Sequence, residues 1–198
     1  MPEVSVRPLL SSRPGRFAAR FARADRGSTA VEFSLVALPF VMLIFATIEL
    51  ALVMLVCTTL DTAVEAAGRK IRTGEFQESG AATKSDFKAV VCARMTWLSS
   101  DCANNAYVDV RTFSNFAGLA ANSPQAASSF NAASTCFTAG NPTDIVLVRI
   151  YYKWRLFTPL LDVAMENMGA GSGFRLLSTA TAFRNEPYND NLPVGAHC

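Results

Sequence analysis

The chain of 198 residues is long enough for one compact domain and a membrane segment, but not for two full domains. Apolar residues make up 51%, and a net charge of +2 excludes the strongly basic surface of a nucleic-acid-binding protein. Residues 1–27 contain six arginines and two acidic residues, a net of +4, whereas the remainder has 12 basic and 14 acidic residues, a net of −2. The basic character therefore belongs to an N-terminal leader.

A long apolar segment follows this leader. Residues 33–57 contain one charged side chain, Glu49. As a helix rising about 1.5 Å per residue, the segment spans roughly 37 Å, which exceeds a hydrocarbon core of about 30 Å. No other part of the chain can enclose such a helix, so a single membrane span is predicted. The positive-inside rule keeps the leader in the cytoplasm and places residues after 57 outside the inner membrane.

The junction between leader and span admits three interpretations. A cleavable secretory signal has a much shorter apolar region, of about 7–15 residues. An uncut signal anchor explains the length and charge, and a signal-anchored periplasmic binding or envelope protein remains the alternative. The third interpretation uses Gly27, the small residues from Ser28, then Glu32 and Phe33. This order resembles the type III signal of prepilins, which is cut after the glycine, so that the mature protein keeps its span.

Glu32 has a chemical reason to be the fifth residue after the cut, four residues beyond Ser28. Cleavage after Gly27 makes Ser28 the free α-amine, about one helical turn from the Glu32 carboxylate. A carboxylate at full membrane depth costs on the order of 2.5–3.5 kcal/mol unless it is paired. An amine of the same or a neighbouring subunit offsets that cost and fixes the axial register of a helical bundle. The alternative is a carboxylate that lies among the lipid headgroups.

The same residues resemble the TadE-like family of pilin-like proteins, or pseudopilins. The resemblance rests on Gly27–Phe33, on Leu38-Pro39, on Ile48-Glu49-Leu50 and, loosely, on the tail Arg184–Tyr188. It implies processing by a prepilin peptidase and a minor pilin-like role in assembling adhesive Flp-type (tight adherence) pili, without catalytic activity or a cofactor. The implied partners are other pilin-like subunits, the major pilin and the inner-membrane assembly platform. The implied location is the bacterial inner membrane, with a periplasmic C-terminal domain and access to the surface pilus.

Glu49 is the second carboxylate of interest. It lies about 24 Å along the helix from Phe33. An intramembrane carboxylate is a functional candidate and usually faces protein rather than lipid. We therefore expect a helix–helix contact, and we assign Glu32, Phe33 and Glu49 to assembly.

The helix is expected to continue beyond the membrane and to end near Gly74. Apolar residues recur on one face, and basic residues cluster near the end, which suits a helix C-terminus. The domain prediction is therefore a leader (1–27), a long helix (28–74) and a periplasmic α+β domain (75–198). The apolar face consists of Leu60, Val64, Ala67 and Ile71.

The outer domain is predicted to contain one helix and three strands. The helix covers residues 84–98, with a capping box from Thr83 to Asp86. The strands cover residues 107–113, 145–154 and 174–183. In the second strand, every other residue lies on one face, and Arg149 and Lys153 lie on the other. The first face consists of Val146, Val148, Ile150, Tyr152 and Trp154. Residues 114–143, rich in Ser, Ala and Asn, are expected to form a long loop. The fold class is thus α+β and, by the resemblance, pilin-like, with the long helix packed on a small antiparallel sheet.

The cysteines predict disulfides rather than a metal site. Cys92, Cys102, Cys136 and Cys198 fall on the oxidising side of the membrane, where four cysteines imply two bridges in one of three connectivities. We favour Cys92–Cys102, which leaves Cys136–Cys198. A zinc site is disfavoured because no C-x-x-C pair occurs.

An enzyme is not expected. The one histidine, His197, is the penultimate residue, where chain ends are normally loose, and a Ser-His-Asp or Cys-His arrangement would have to use it. The glycine-rich stretch at residues 169–173 has no P-loop lysine after it.

Overall fold

The computed structural model describes residues 28–80, 83–158, 162–189 and 191–195. Gly27, His197 and Cys198 lie outside the described residues, as does the leader. The chain divides into two compact units, Met1–Phe45 and Ala46–Cys198, and each is described by itself.

The described part of the first unit is helical. It belongs to helix α1 (Ser28–Arg72), which contains Pro39. Among the described helices, α1 is the one with the length and apolar composition needed to cross a membrane. Most of its large apolar side chains before Phe45 are exposed, and they lie on every side of the helix. These are Val31, Phe33, Leu35, Val36, Leu38, Phe40, Val41, Leu43 and Ile44.

In the second unit, α1 becomes a one-sided helix. Burial recurs every three or four residues, which is the spacing of one helical face. Val53 and Val56, which hydropathy assigned to the span, belong to the core of this unit. The predicted apolar face is confirmed. The buried residues are Glu49, Val53, Val56, Leu60, Ala63, Val64, Ala67, Gly68 and Ile71.

The helix α1 ends where the sequence predicts. Its last turn contains Arg69, Lys70 and Arg72, whose charges complement the helix dipole. Gly74 follows with φ of 81°, a left-handed conformation that favours glycine. The short helix α2 (Glu75–Glu78) begins directly afterwards.

The described residues of the second unit contain a three-stranded antiparallel sheet of order β1-β2-β3. The strands are β1 (Ala106–Phe113), β2 (Ile145–Arg155) and β3 (Phe174–Arg184). In the register, Val108 pairs with Ile150, and Ile150 pairs with Thr179. The predicted fold class, a long apolar helix followed by a small antiparallel sheet, is confirmed.

The core lies between one face of this sheet and the helices. One face of β2 joins the buried residues of α1 in one apolar cluster. This face consists of Val146, Val148, Ile150, Tyr152 and Trp154. Phe76 and Phe87 meet there edge to face, 5.5 Å between ring centres. Gly68 permits the close approach of α1 to β3, because a Cβ at this position would lie 3.1 Å from side-chain atoms of Thr181 and Phe183.

The predicted helix 84–98 is shorter in the structure. Helix α3 (Lys84–Arg94) begins with the predicted capping box, in which Thr83 and Asp86 bond reciprocally. It ends early because Thr96 takes a positive φ of 43°, which a regular right-handed α-helix does not include. A 3₁₀ turn (Thr96–Leu98) and a helix that the sequence analysis missed, α4 (Ser99–Asn105), follow.

This break brings two cysteines together. Cys92 in α3 and Cys102 in α4 form a disulfide with Cα atoms 5.5 Å apart. Cys136 is also disulfide-bonded. Its predicted partner, Cys198, lies outside the described residues, so that connectivity stays a prediction. Cys57 is a free thiol.

Replacing Cys92 and Cys102 together by serine is expected to lower the free energy of unfolding by about 3 kcal/mol, because the bridge closes a short loop in the unfolded chain. Denaturant unfolding of the full chain in detergent micelles measures this change. Cys57→Ser, which removes the free thiol, serves as the control and is expected to change little. Alkylation of both Cys92 and Cys102 in the unreduced native protein would contradict the bridge.

The segment expected to be a long loop is more ordered than predicted. It contains helix α5 (Phe116–Ala121) and two 3₁₀ turns, and Phe137 forms an isolated bridge with Val110. It covers the second face of the sheet, where the Arg149 guanidinium donates to the Asn122 carbonyl at 2.9 Å. The Tyr151 hydroxyl accepts a hydrogen bond from a backbone N–H of this segment. Arg149 therefore lies on the face of β2 that the alternating pattern predicts, but it is buried there by this segment.

Candidate functional site

Three of the predicted processing and assembly residues, Ser28, Glu32 and Phe33, lie in the first turns of α1. The helix begins at Ser28, and Gly27 lies outside the described residues. Glu32 and Phe33 are both exposed, and Phe33 keeps 73% of its surface. Because Ser28 and Glu32 are four residues apart in one helix, an α-amine at Ser28 lies on the same helix face as the Glu32 carboxylate, one turn away.

Glu49 has a different environment, since it is 2% exposed. Its carboxylate accepts hydrogen bonds from the segment that directly follows β2. The Phe157 N–H donates to both oxygens at 3.3 and 3.1 Å. The Thr158 N–H and hydroxyl donate to Oε2 at 2.9 and 2.8 Å.

Within the chain the Glu49 carboxylate thus contacts the segment after β2, and the expected helix–helix contact stays a prediction. The two oxygens of Glu49 accept hydrogen bonds from three donors on one short segment, so the buried carboxylate is well satisfied. Glu49 is also the first buried residue on the one-sided face of α1. The Glu49 carboxylate therefore binds the segment after β2 to α1. It does so at the residue where one face of α1 becomes buried.

Glu49→Ala is expected to release residues 157–158, because two backbone N–H groups lose their acceptor. We expect stability to fall by about 2 kcal/mol and the amides of Phe157 and Thr158 to exchange with solvent much faster. Hydrogen exchange of the full chain in micelles measures both effects. Glu65→Ala, which alters an exposed glutamate of the same helix, is the control. Unchanged exchange at both amides would contradict the role of Glu49.

A second polar cluster, which we call the tail clasp, consists of Gln77, Gly140, Asn185 and Tyr188. The Tyr188 hydroxyl accepts from Gln77 Nε2 at 2.9 Å and from Asn185 Nδ2 at 2.8 Å. It donates to the Gly140 carbonyl at 3.0 Å. The clasp thus connects the segment after α1, the segment before β2 and the segment after β3.

Two further contacts connect this tail to α1. The Glu186 N–H donates to the Arg72 carbonyl at 2.9 Å, satisfying a carbonyl at the helix end, and the two side chains form an ion pair at 3.2 Å. The Tyr188 ring covers Gly74, where a Cβ would lie 2.7 Å from a ring atom. The sequence motif Arg184–Tyr188 is therefore a structural feature that holds the tail to the end of α1.

The described residues contain no group of three or more His, Cys, Asp or Glu side chains placed to hold a metal ion. The glycine-rich stretch at residues 169–173 forms a turn around Glu166, whose carboxylate accepts from the Gly171 and Gly173 N–H groups at 2.6 and 2.9 Å. These backbone bonds lower the pKa of Glu166. The turn is thus organised by a carboxylate of the chain.

Residues 27–69 match the family model described as TadE-like protein. The match begins at the predicted cleavage glycine and ends within the last turns of α1. The predicted resemblance is therefore confirmed for this segment, and the matched family is one associated with tight-adherence (Tad) pilus systems. No curated protein and no solved structure matches the chain.

Proposed function

We propose that this chain, whose residues 27–69 match TadE-like proteins, is a minor pilin-like subunit that takes part in assembling tight-adherence pili. A prepilin peptidase cleaves it between Gly27 and Ser28. The mature helix then remains in the inner membrane, and the α+β unit lies in the periplasm. The chain acts by association with other pilin-like subunits, the major pilin and the assembly platform, and it has no catalytic activity.

One observation carries this proposal, namely the change of exposure along α1. From Thr29 to Ile48 the helix is largely exposed, and from Glu49 it is buried on one face. The exposed stretch is about 30 Å long, the thickness of a hydrocarbon core. A helix with apolar side chains on all sides needs an apolar environment, which a bilayer or a bundle of similar helices supplies.

The proposed span is therefore shifted toward the N-terminus relative to the 33–57 span predicted from hydropathy. Glu49 lies at the outer boundary of the hydrocarbon, where Phe157 and Thr158 neutralise the cost of its burial. Glu32 lies within the first turns of the span. An α-amine at Ser28, from the same or a neighbouring subunit, offsets the cost of that carboxylate.

Mass measurement of the native protein tests the processing step. The mature chain is expected to begin at Ser28 and to lack residues 1–27. Replacement Gly27→Leu should leave the full-length precursor in the inner membrane, because the peptidase needs glycine before the cut. Glu65→Ala, which alters no processing residue, should be cleaved normally. A native N-terminus at Met1 or Pro2, or near Ala67, would overturn the proposal.

A further inference from the structure

The second unit has two distinguishable ends. The helix α1 from Glu49 to Arg72 is about 35 Å long, and the eleven residues of β2 span about 36 Å. Phe157, just after β2, bonds to Glu49, whereas Glu186, just after β3, bonds to Arg72. The C-terminal end of β2 and the N-terminal end of β3 therefore lie at the Glu49 end of the unit.

A groove of about 540 Å³ lies at this Glu49 end. Aromatic and basic side chains dominate its lining. We call it the aromatic groove and define it by Trp97, Lys153, Trp154, Arg155, Phe157 and Phe174.

Large apolar side chains are exposed at the groove. Trp97 keeps 51% of its surface and Phe157 keeps 63%. In the same unit, Ile48 and Leu50 are exposed on either side of Glu49, whose carboxylate binds Phe157. Clustered exposure of this kind marks an interaction site, and tryptophan is enriched where proteins meet the membrane–water interface.

The charges of the groove favour an anionic partner. Arg155 is exposed, and it makes no ion pair among the residues that the structure describes. Lys153 lies over the Phe174 ring, with Nζ 4.0 Å from the ring centre. The acidic residue in the lining, Asp101, accepts a hydrogen bond from the Tyr152 hydroxyl and another from Asn105 Nδ2. Arg155 is thus available to a ligand and Lys153 adds a positive charge above the Phe174 ring, whereas the acidic group is engaged within the protein.

We propose that the aromatic groove rests on the outer surface of the inner membrane and binds anionic phospholipid headgroups. This inference rests on the proposed function, because it requires α1 to span the membrane up to Ile48. Trp97 and Phe157 enter the interfacial layer, and Lys153 and Arg155 contact the phosphates. The groove thereby fixes the orientation of the periplasmic unit on the membrane before assembly.

A lipid surface fits the groove better than another protein for a physical reason. Phe157 is bound to Glu49, and Ile48 and Leu50 beside Glu49 are exposed, so within the second unit the groove lies at the end of α1 that the proposed span reaches. Aromatic rings with basic side chains are the combination that interfacial lipid binding uses. Each basic residue near an anionic surface strengthens binding about fivefold.

Tryptophan quenching in lipid nanodiscs tests the proposal on the full chain. The discs contain phosphatidylcholine alone or with phosphatidylglycerol, and a nitroxide is attached to the lipid headgroup. The difference between the native chain and Trp97→Phe isolates the emission of Trp97, since the chain has two tryptophans. We expect the nitroxide to quench Trp97, with stronger quenching when phosphatidylglycerol is present.

A matched pair of charge reversals gives the control. Arg155→Glu should reduce the phosphatidylglycerol-dependent quenching about fivefold or more. Arg184→Glu, at the opposite end of β3, should leave it unchanged. Equal quenching in both variants, or none in the native chain, would overturn the proposal, as would quenching that requires an added pilin subunit. Protease protection of α1 in the same discs separates this inference from the proposed function. A protected helix with unquenched Trp97 would contradict this inference alone. An unprotected helix would contradict the proposed function.

Discussion

Tyr188→Ala is expected to lower the free energy of unfolding of the second unit by about 4 kcal/mol, a larger loss than that expected for Glu49→Ala. The substitution removes the ring that covers Gly74 and the hydroxyl that joins Gln77, Asn185 and Gly140. For a chain of this size, the melting temperature should fall by roughly 10 °C. Thermal unfolding of the full chain in micelles measures it.

Tyr188→Phe is the matched control, because it keeps the ring and removes the hydroxyl. It should cost about 1 kcal/mol, the net value of one hydrogen-bonded group. If both variants melt at the same temperature, the packing of the ring on Gly74 contributes nothing and the tail clasp is a hydrogen-bond network only.

The same hydroxyl gives the clasp a pH dependence. Burial, and then the negative charge of Asp144, raise the pKa of Tyr188 to about 12 from its usual value near 10. Since the folded state holds the proton more tightly, the contribution is complete below about pH 10 and is lost as the pH rises through 12. Burial and Asp101 also raise the pKa of Tyr152, so Tyr188→Phe should reduce the alkaline loss of stability without abolishing it.

The sheet illustrates what the sequence could predict. The limits of β2 and β3 were predicted to within one residue, because β-branched and aromatic residues alternate there between turn-forming segments. The burial of both faces of β2 was not predicted. It depends on residues 114–143 folding back over Arg149 and Tyr151, and those contacts join parts of the chain that are distant in sequence.

For the site residues, too, the sequence indicated which residues are unusual but not what they contact. Hydropathy identified Glu49 as an unusual carboxylate, but its donors are mainly the backbone N–H groups of Phe157 and Thr158, and every residue other than proline has such a group. Similarly, the tail Arg184–Tyr188 was singled out by a loose resemblance that the match over residues 27–69 does not cover, and its contact with Gly74 needed the structure. The break after α3 was missed because no glycine or proline marks the positive φ of Thr96.

Glu32→Ala is expected to abolish association with other pilin-like subunits, and surface pili should be lost with it. The substitution removes a charge from the apolar segment, so membrane insertion should be easier, and cleavage between Gly27 and Ser28 should proceed because neither residue is altered. Under the proposed function, what fails is the pairing of the Glu32 carboxylate with a subunit's α-amine, and with it the register of the bundle. Membrane fractionation, crosslinking to the major pilin and a count of surface pili measure the three steps separately.

Two control variants show which property of Glu32 matters. Glu32→Gln keeps the size of the side chain and removes its charge, so it should fail like Glu32→Ala if an ion pair is required. Glu65→Ala removes an exposed glutamate of the same helix beyond the apolar segment, and piliation should persist. A signal-anchored envelope protein would tolerate all three substitutions, since its span needs no carboxylate. Normal crosslinking and normal pilus number in Glu32→Ala would therefore reduce Glu32 to a carboxylate at the level of the lipid headgroups.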